Sequence, residues 1–158
     1  MSTTKAAKTS PAIPPPLLPT RILVPTDFSP TSMVALKYAA ALAARVGAQL
    51  DLLYVVEPAP FLSDLKDVPL AMSDKELGRK AAAQLAALAG REIDPAVPAR
   101  PVVRAGKAYH QITEAARELQ ADLIVIATHG YTGLKHTLLG STTERVVRHA
   151  PCPVLVVR

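Results

Sequence analysis

From Arg21 to the end of the chain, short aliphatic runs alternate with stretches whose apolar residues recur at helical spacing. RILVP (21–25) has the pattern of a buried strand. Ser29-Pro30 then predicts a helix start, Ser as N-cap and Pro at the first helical position. Ala35, Ala39, Leu42 and Val46 mark one face of that helix, and Gly47 closes it. QLDLLYVV (49–56) is a second strand. Ser73 and Glu76 form a capping box for a helix lined by Leu77, Ala81, Leu85 and Leu88 and ending at Gly90. ARPVVR (99–104) is a third strand, and Ile112, Ala115, Ala116 and Leu119 line a third helix. ADLIVIAT (121–128) is a fourth strand, Ser141 with Glu144 is a capping box for a helix through His149, and PVLVVR (153–158) is a fifth strand.

Strands of near-continuous apolar character, separated by helices, predict a parallel sheet covered on both faces. The crossover rule leaves a doubly wound α/β sheet or an incomplete barrel, and five units are too few for an eight-fold barrel. Two segments fall outside the alternation. Residues 1–20 are rich in proline (Pro11, Pro14, Pro15, Pro16, Pro19) and read as a disordered, polyproline-like arm, leaving 21–158 as the folded domain. Residues 57–72 are long for a βα connection, the kind of loop that serves as a lid, a partner surface or local packing.

Composition narrows the class further. Aromatics are only 4% of the chain and Trp is absent, so Ala, Val and Leu must build the core. Cys152 is the sole cysteine, which excludes an internal disulfide and fits a reducing compartment. The longest aliphatic run, LIVIA (123–127), is far short of a membrane span, and the first 20 residues lack the apolar core of a secretory signal. A cytoplasmic protein without a membrane role is therefore expected. The net charge of +5 is scattered, without the basic stripe and stacking aromatics of a nucleic-acid binder. His110, His129, His136 and His149 show no metal-ligand spacing, so no metal site is expected.

In a doubly wound sheet, ligands sit beyond the carboxyl ends of the strands. Two clusters fall there. Pro25-Thr26-Asp27 follows the first strand, where Asp27 can accept bonds from ribose hydroxyls or an adenine amino group, or else form an Asx turn. ATHGYTGLKHTLLGST (127–142) follows the fourth strand, with Gly130, Gly133 and Gly140 relaxing the backbone before a helix whose free N–H groups attract anions. It is neither a P-loop nor a dinucleotide fingerprint, and no G-x-S-x-G supplies a hydrolase nucleophile. Lys135, Arg145 and Arg148 flank this stretch and read as solubilising surface.

RILVPTDFSPTSMVALKYAAALA at one end and the glycine loop with TERVVRHAPCPVLVVR at the other resemble the universal stress protein family, over residues 21–158. The resemblance implies a flavodoxin-like (Rossmann-like), doubly wound five-stranded sheet of order 3-2-1-4-5, paired as a homodimer through the last strand. An exposed aliphatic edge at 153–158 agrees with such pairing. The family's ATP-binding branch carries G-x2-G-x9-G-S/T, and the matching positions here are Ala127, Gly130, Gly140 and Ser141. The implied nucleotide contacts are Pro25, Thr26, Asp27, Val55, Ile126, Ala127, Gly130, Gly140, Ser141 and Thr142. The implied ligand is ATP or AMP, with Mg as an optional companion ion. Ala127 departs from the pattern: it narrows the site if the position is extended, and costs about 1–2 kcal/mol if it needs positive φ. The function expected is a nucleotide-dependent regulatory module of the stress response, with no catalytic residue evident. A slow ATP hydrolase and a nucleotide-free dimeric interaction protein are the alternatives.

Overall fold

The computed structural model describes residues 18–57, 74–128 and 139–158. The proline-rich residues 1–17, the segment 58–73 with Ser73, and the loop 129–138 with Gly130 and Gly133 lie outside the described residues. The elements run β1 (Arg21–Pro25), α1 (Pro30–Val46), β2 (Gln49–Val56), α2 (Asp74–Glu92), β3 (Ala99–Ala105), α3 (Ala108–Glu118), β4 (Leu123–Ala127), α4 (Ser141–His149) and β5 (Val154–Val157). All pairings are parallel and the order is β3-β2-β1-β4-β5, as expected for the doubly wound class.

Strand β1 lies at the centre, and its Ile22, Leu23 and Val24 are fully buried. Alternation along the strands divides the core into two layers. Ile22, Val24, Leu50, Leu52, Val125 and Ala127 face α1 and α2, where they meet Ala35, Leu36, Ala39, Leu85 and Leu88. Leu23, Leu53, Ile124 and Ile126 face α3 and α4, meeting Ile112, Ala115, Ala116 and Val146. The alanine-rich helix faces let the backbones approach the sheet closely, which is how a chain with few aromatics fills its core. Each fully buried Leu or Ile contributes about 1.5–3 kcal/mol of transfer free energy.

Helix α1 begins and ends as its sequence predicts. Ser29 accepts a hydrogen bond from the Ser32 N–H at 3.2 Å, Pro30 opens the helix, and Gly47 turns left-handed at φ 72°. Two other boundaries differ. Helix α2 continues past Gly90 to Glu92, since a glycine ends a helix only where the chain turns left-handed, and the chain does not do so there. The N-cap of α4 is Gly140 rather than Ser141; Ser141 is the first helical residue, and among the described residues no side chain caps the helix. Glu144, the expected partner of that capping box, instead receives Arg148 at 2.8 Å, one turn further along.

Among the described residues no helix is long and apolar enough to cross a membrane.

Candidate nucleotide site

The carboxyl ends of the strands feed loops to opposite faces of the sheet. After β1 the chain turns toward α1, and after β4 it reaches α4 on the other face. β1 and β4 are neighbours, so the topological switch point, where doubly wound sheets bind ligands, lies between their ends.

On the β1 side, backbone and side chains are tightly tied. Thr26 is buried, its hydroxyl 3.0 Å from the Ser32 hydroxyl, and it accepts the Phe28 N–H at 3.0 Å. Asp27 accepts the Ser29 N–H at 3.0 Å, an Asx turn that fixes the approach to α1. The turn forces Phe28 to φ 62°, a conformation a non-glycine residue adopts only with strain. Its ring packs 5.1 Å from that of Tyr54 on β2, which holds the strained residue in place.

The β4 side is built differently. Ala127 is the last residue of β4, pairs in register with Val157, and belongs to the layer facing α1. The position is extended, so the alanine carries no left-handed strain. Its carbonyl accepts the Thr143 hydroxyl at 2.8 Å, and the Thr128 carbonyl accepts the Gly140 N–H at 2.8 Å. These two bonds clamp the start of α4 to the end of β4. Among the described residues, the first N–H groups of α4 have no side-chain cap.

Those groups face a cavity of about 240 Å³ lined by Glu57, Lys107, Tyr109, Ser141, Thr142 and Arg145. Its second wall comes from the β3–α3 turn. Gly106 adopts φ 136° there, and a Cβ at this position would stand 3.1 Å from the Gln111 amide nitrogen. The turn presents Lys107 and Tyr109 to the cavity. Glu57, just beyond β2, accepts the Ala108 N–H at 2.6 Å and so serves as the acidic cap that α3 lacks at Lys107. The Arg145 guanidinium lies 5.0 Å from the centroid of the Tyr109 ring.

Of the residues expected from sequence, Ser141 and Thr142 line the cavity, with Gly140 immediately before them. Pro25, Thr26 and Asp27 stand at the same edge of the sheet without lining it. Val55 and Ile126 pack in the α3/α4 layer, and Ala127 faces the opposite layer. Gly130 lies outside the described residues. Glu57, Lys107 and Tyr109 were not singled out from sequence, and Arg145 was read as solubilising surface. The available signals were Gly106-Lys107 directly after a strand, and the spacing of Arg145, one turn beyond Ser141 and Thr142.

This architecture, a parallel 3-2-1-4-5 sheet with a helix start opening on its carboxyl edge, defines a flavodoxin-like α/β protein. The universal stress protein family model matches residues 19–158, and the chain belongs to that family. A universal stress protein of Methanocaldococcus jannaschii is 36% identical over 141 residues, covering 87% of this chain and 81% of its own. The solved universal stress protein UspA of Lactobacillus plantarum is 30% identical, with a TM-score of 0.67 over 88% of this chain and 97% of its own. A universal stress protein solved in complex with cAMP shares the fold at 24% identity, with a TM-score of 0.63 over 89% of this chain and 97% of its own.

Proposed function

We propose that this universal stress protein is an adenine-nucleotide-binding regulatory module of the family's ATP-binding branch, acting in the cytoplasm. The observation that carries the reading is the uncapped start of α4, with Ser141 and Thr142 opening onto the cavity. A phosphate would take the hydrogen bonds that no side chain of the helix supplies, aided by the helix dipole. Gly140, with no Cβ, would allow close approach, and Gly130 would complete the phosphate loop. Asp27 and the backbone around Val55 would meet the adenosine, reached across the switch point between β1 and β4. The extended geometry of Ala127 supports nucleotide binding, because its methyl sits among residues facing α1 rather than in the cavity. That a protein of this fold binds cAMP is consistent with an adenine ligand. The ligand is ATP or AMP, with Mg accompanying the phosphates.

Hydrolysis is the weaker reading: among the described residues Glu57 is the one carboxylate lining the cavity, and its oxygen is already engaged by the Ala108 N–H. Regulation then follows from occupancy rather than turnover. The dimer would form through β5. The opposite edge, β3, carries Pro101 and charged Arg100 and Arg104, which oppose pairing, whereas β5 is wholly aliphatic from Val154 to Val157.

Isothermal titration of the folded protein with ATP, AMP and cyclic AMP tests the reading. Micromolar binding of at least one supports it, and no binding below millimolar concentration rejects it. Light scattering at micromolar protein concentration is expected to show a dimer.

A further inference from the structure

Besides the start of α4, two cationic side chains line the cavity. Lys107 approaches from the β3–α3 turn and Arg145 from the second turn of α4. Among the described residues neither forms an ion pair, although most of the arginines do. Arg145 has a carboxylate beside it in sequence, Glu144, but that group is engaged by Arg148 at 2.8 Å. The guanidinium rests instead over the Tyr109 ring, at 5.0 Å from its centroid. Stacking of this kind limits the rotamers of a long side chain while leaving its N–H donors available. Glu57 occupies the N-terminus of α3, so that helix start is closed to a ligand and the anionic part of any occupant is directed toward α4, Lys107 and Arg145. The volume, about 240 Å³, would hold roughly eight waters at ~30 Å³ each, more room than a single phosphate uses.

We propose that Arg145, braced by Tyr109, and Lys107 form a subsite for phosphate groups beyond the one at Ser141-Thr142. The cavity thereby selects nucleoside di- and triphosphates over monophosphates. The inference rests on the adenine-nucleotide reading above and adds the residues that read phosphate number.

The test is calorimetric titration of the full chain with AMP and ATP at fixed ionic strength, for wild type, Arg145→Met, Lys107→Met and the double variant. Both side chains are exposed, so the variants should fold, and thermal unfolding followed by circular dichroism checks this. The readout is the ratio of ATP to AMP affinity. Wild type is expected to favour ATP by tenfold or more. Each single substitution should lower the ratio severalfold, and the double variant should bring it close to one, as expected for the loss of charge-assisted hydrogen bonds. Tyr109→Leu should lower the ratio by a smaller factor by freeing Arg145. A wild-type ratio near one, or a ratio the double variant does not change, overturns the inference while leaving adenine-nucleotide binding standing. Failure of wild type to bind either nucleotide overturns both.

Discussion

The two ends of the sheet solve opposite problems. At the amino end, charged groups are paired with one another, although the buried Asp51 Oδ2 accepts no hydrogen bond among the described residues. Asp51 is fully buried between Arg100 at 2.8 Å and Arg21 at 3.8 Å, and Asp122 accepts the Thr20 N–H and hydroxyl, each at 2.8 Å, together with the Arg21 N–H. Arg21 also donates to the Leu119 carbonyl at 2.6 Å, tying β1 to the end of α3. At the carboxyl end, β1 is as firmly tied, but among the described residues β4 delivers a helix start without a side-chain cap and a cavity whose two cations form no ion pair. One end spends its charges on holding the strands together. The other keeps them available, which is what a ligand site requires.

The sharpest way to break that contrast is to give α4 a cap of its own. Gly140 has φ −66° and ψ 151°, values any residue tolerates at an N-cap. Gly140→Asp should therefore keep or slightly raise thermal stability, because aspartate is a good N-cap. Its carboxylate would occupy the N–H groups meant for phosphate and repel the anion. Nucleotide affinity should fall about a hundredfold, measured by titration beside a melting curve. Loss of stability together with affinity would mean that the helix start is structural only.

Cys152 tests how closed the amino end is. Burial and the nearby Asp122 carboxylate push its thiol up to about 11 from 9.0. At pH 8 the thiolate fraction is then about a hundredfold lower than in the unfolded chain, and iodoacetamide labelling should slow accordingly in the native protein. Fast labelling at pH 8 would show an amino end more open than described.

Removing one partner of the buried carboxylate should be costly at that end and silent at the other. Arg100→Met leaves Asp51 with Arg21 at 3.8 Å and the Gln49 amide at 3.3 Å; the expected loss, reduced because Arg100 is half exposed, is about 2 kcal/mol in denaturant unfolding. Nucleotide affinity should be unchanged. The smallest effect belongs to the turn that places Lys107. Gly106→Ala puts a Cβ against Gln111 at a φ of 136°, and should cost about 1 kcal/mol while shifting the ATP to AMP ratio.

The sheet was legible in sequence because buried parallel strands are apolar on both faces, so LIVIA and RILVP announce themselves whatever their neighbours. Strand order came from the family resemblance and agrees with the structure. Helix ends were less legible. Ser141-x-x-Glu144 has the pattern of a capping box, but the helix begins one residue earlier than that pattern implies, and Arg148 claims the glutamate. The cavity was legible only in part. Ser141 and Thr142 follow a strand and a glycine, a local signal, whereas Glu57, Lys107 and Tyr109 reach the cavity from β2 and β3, far away in sequence. Arg145 shows the same limit: nothing in the linear order says that a tyrosine more than 30 residues earlier will receive it.

The central claim, that the carboxyl edge is the nucleotide site and α4 its phosphate end, is tested most directly by a ¹⁵N-amide titration with ATP. The largest shifts are expected at the amides of Gly140, Ser141 and Thr142, followed by Asp27 and Lys107, with Arg21, Asp51 and Asp122 unmoved. Shifts concentrated at those amino-end residues, or none at α4 under saturating ATP, would contradict it.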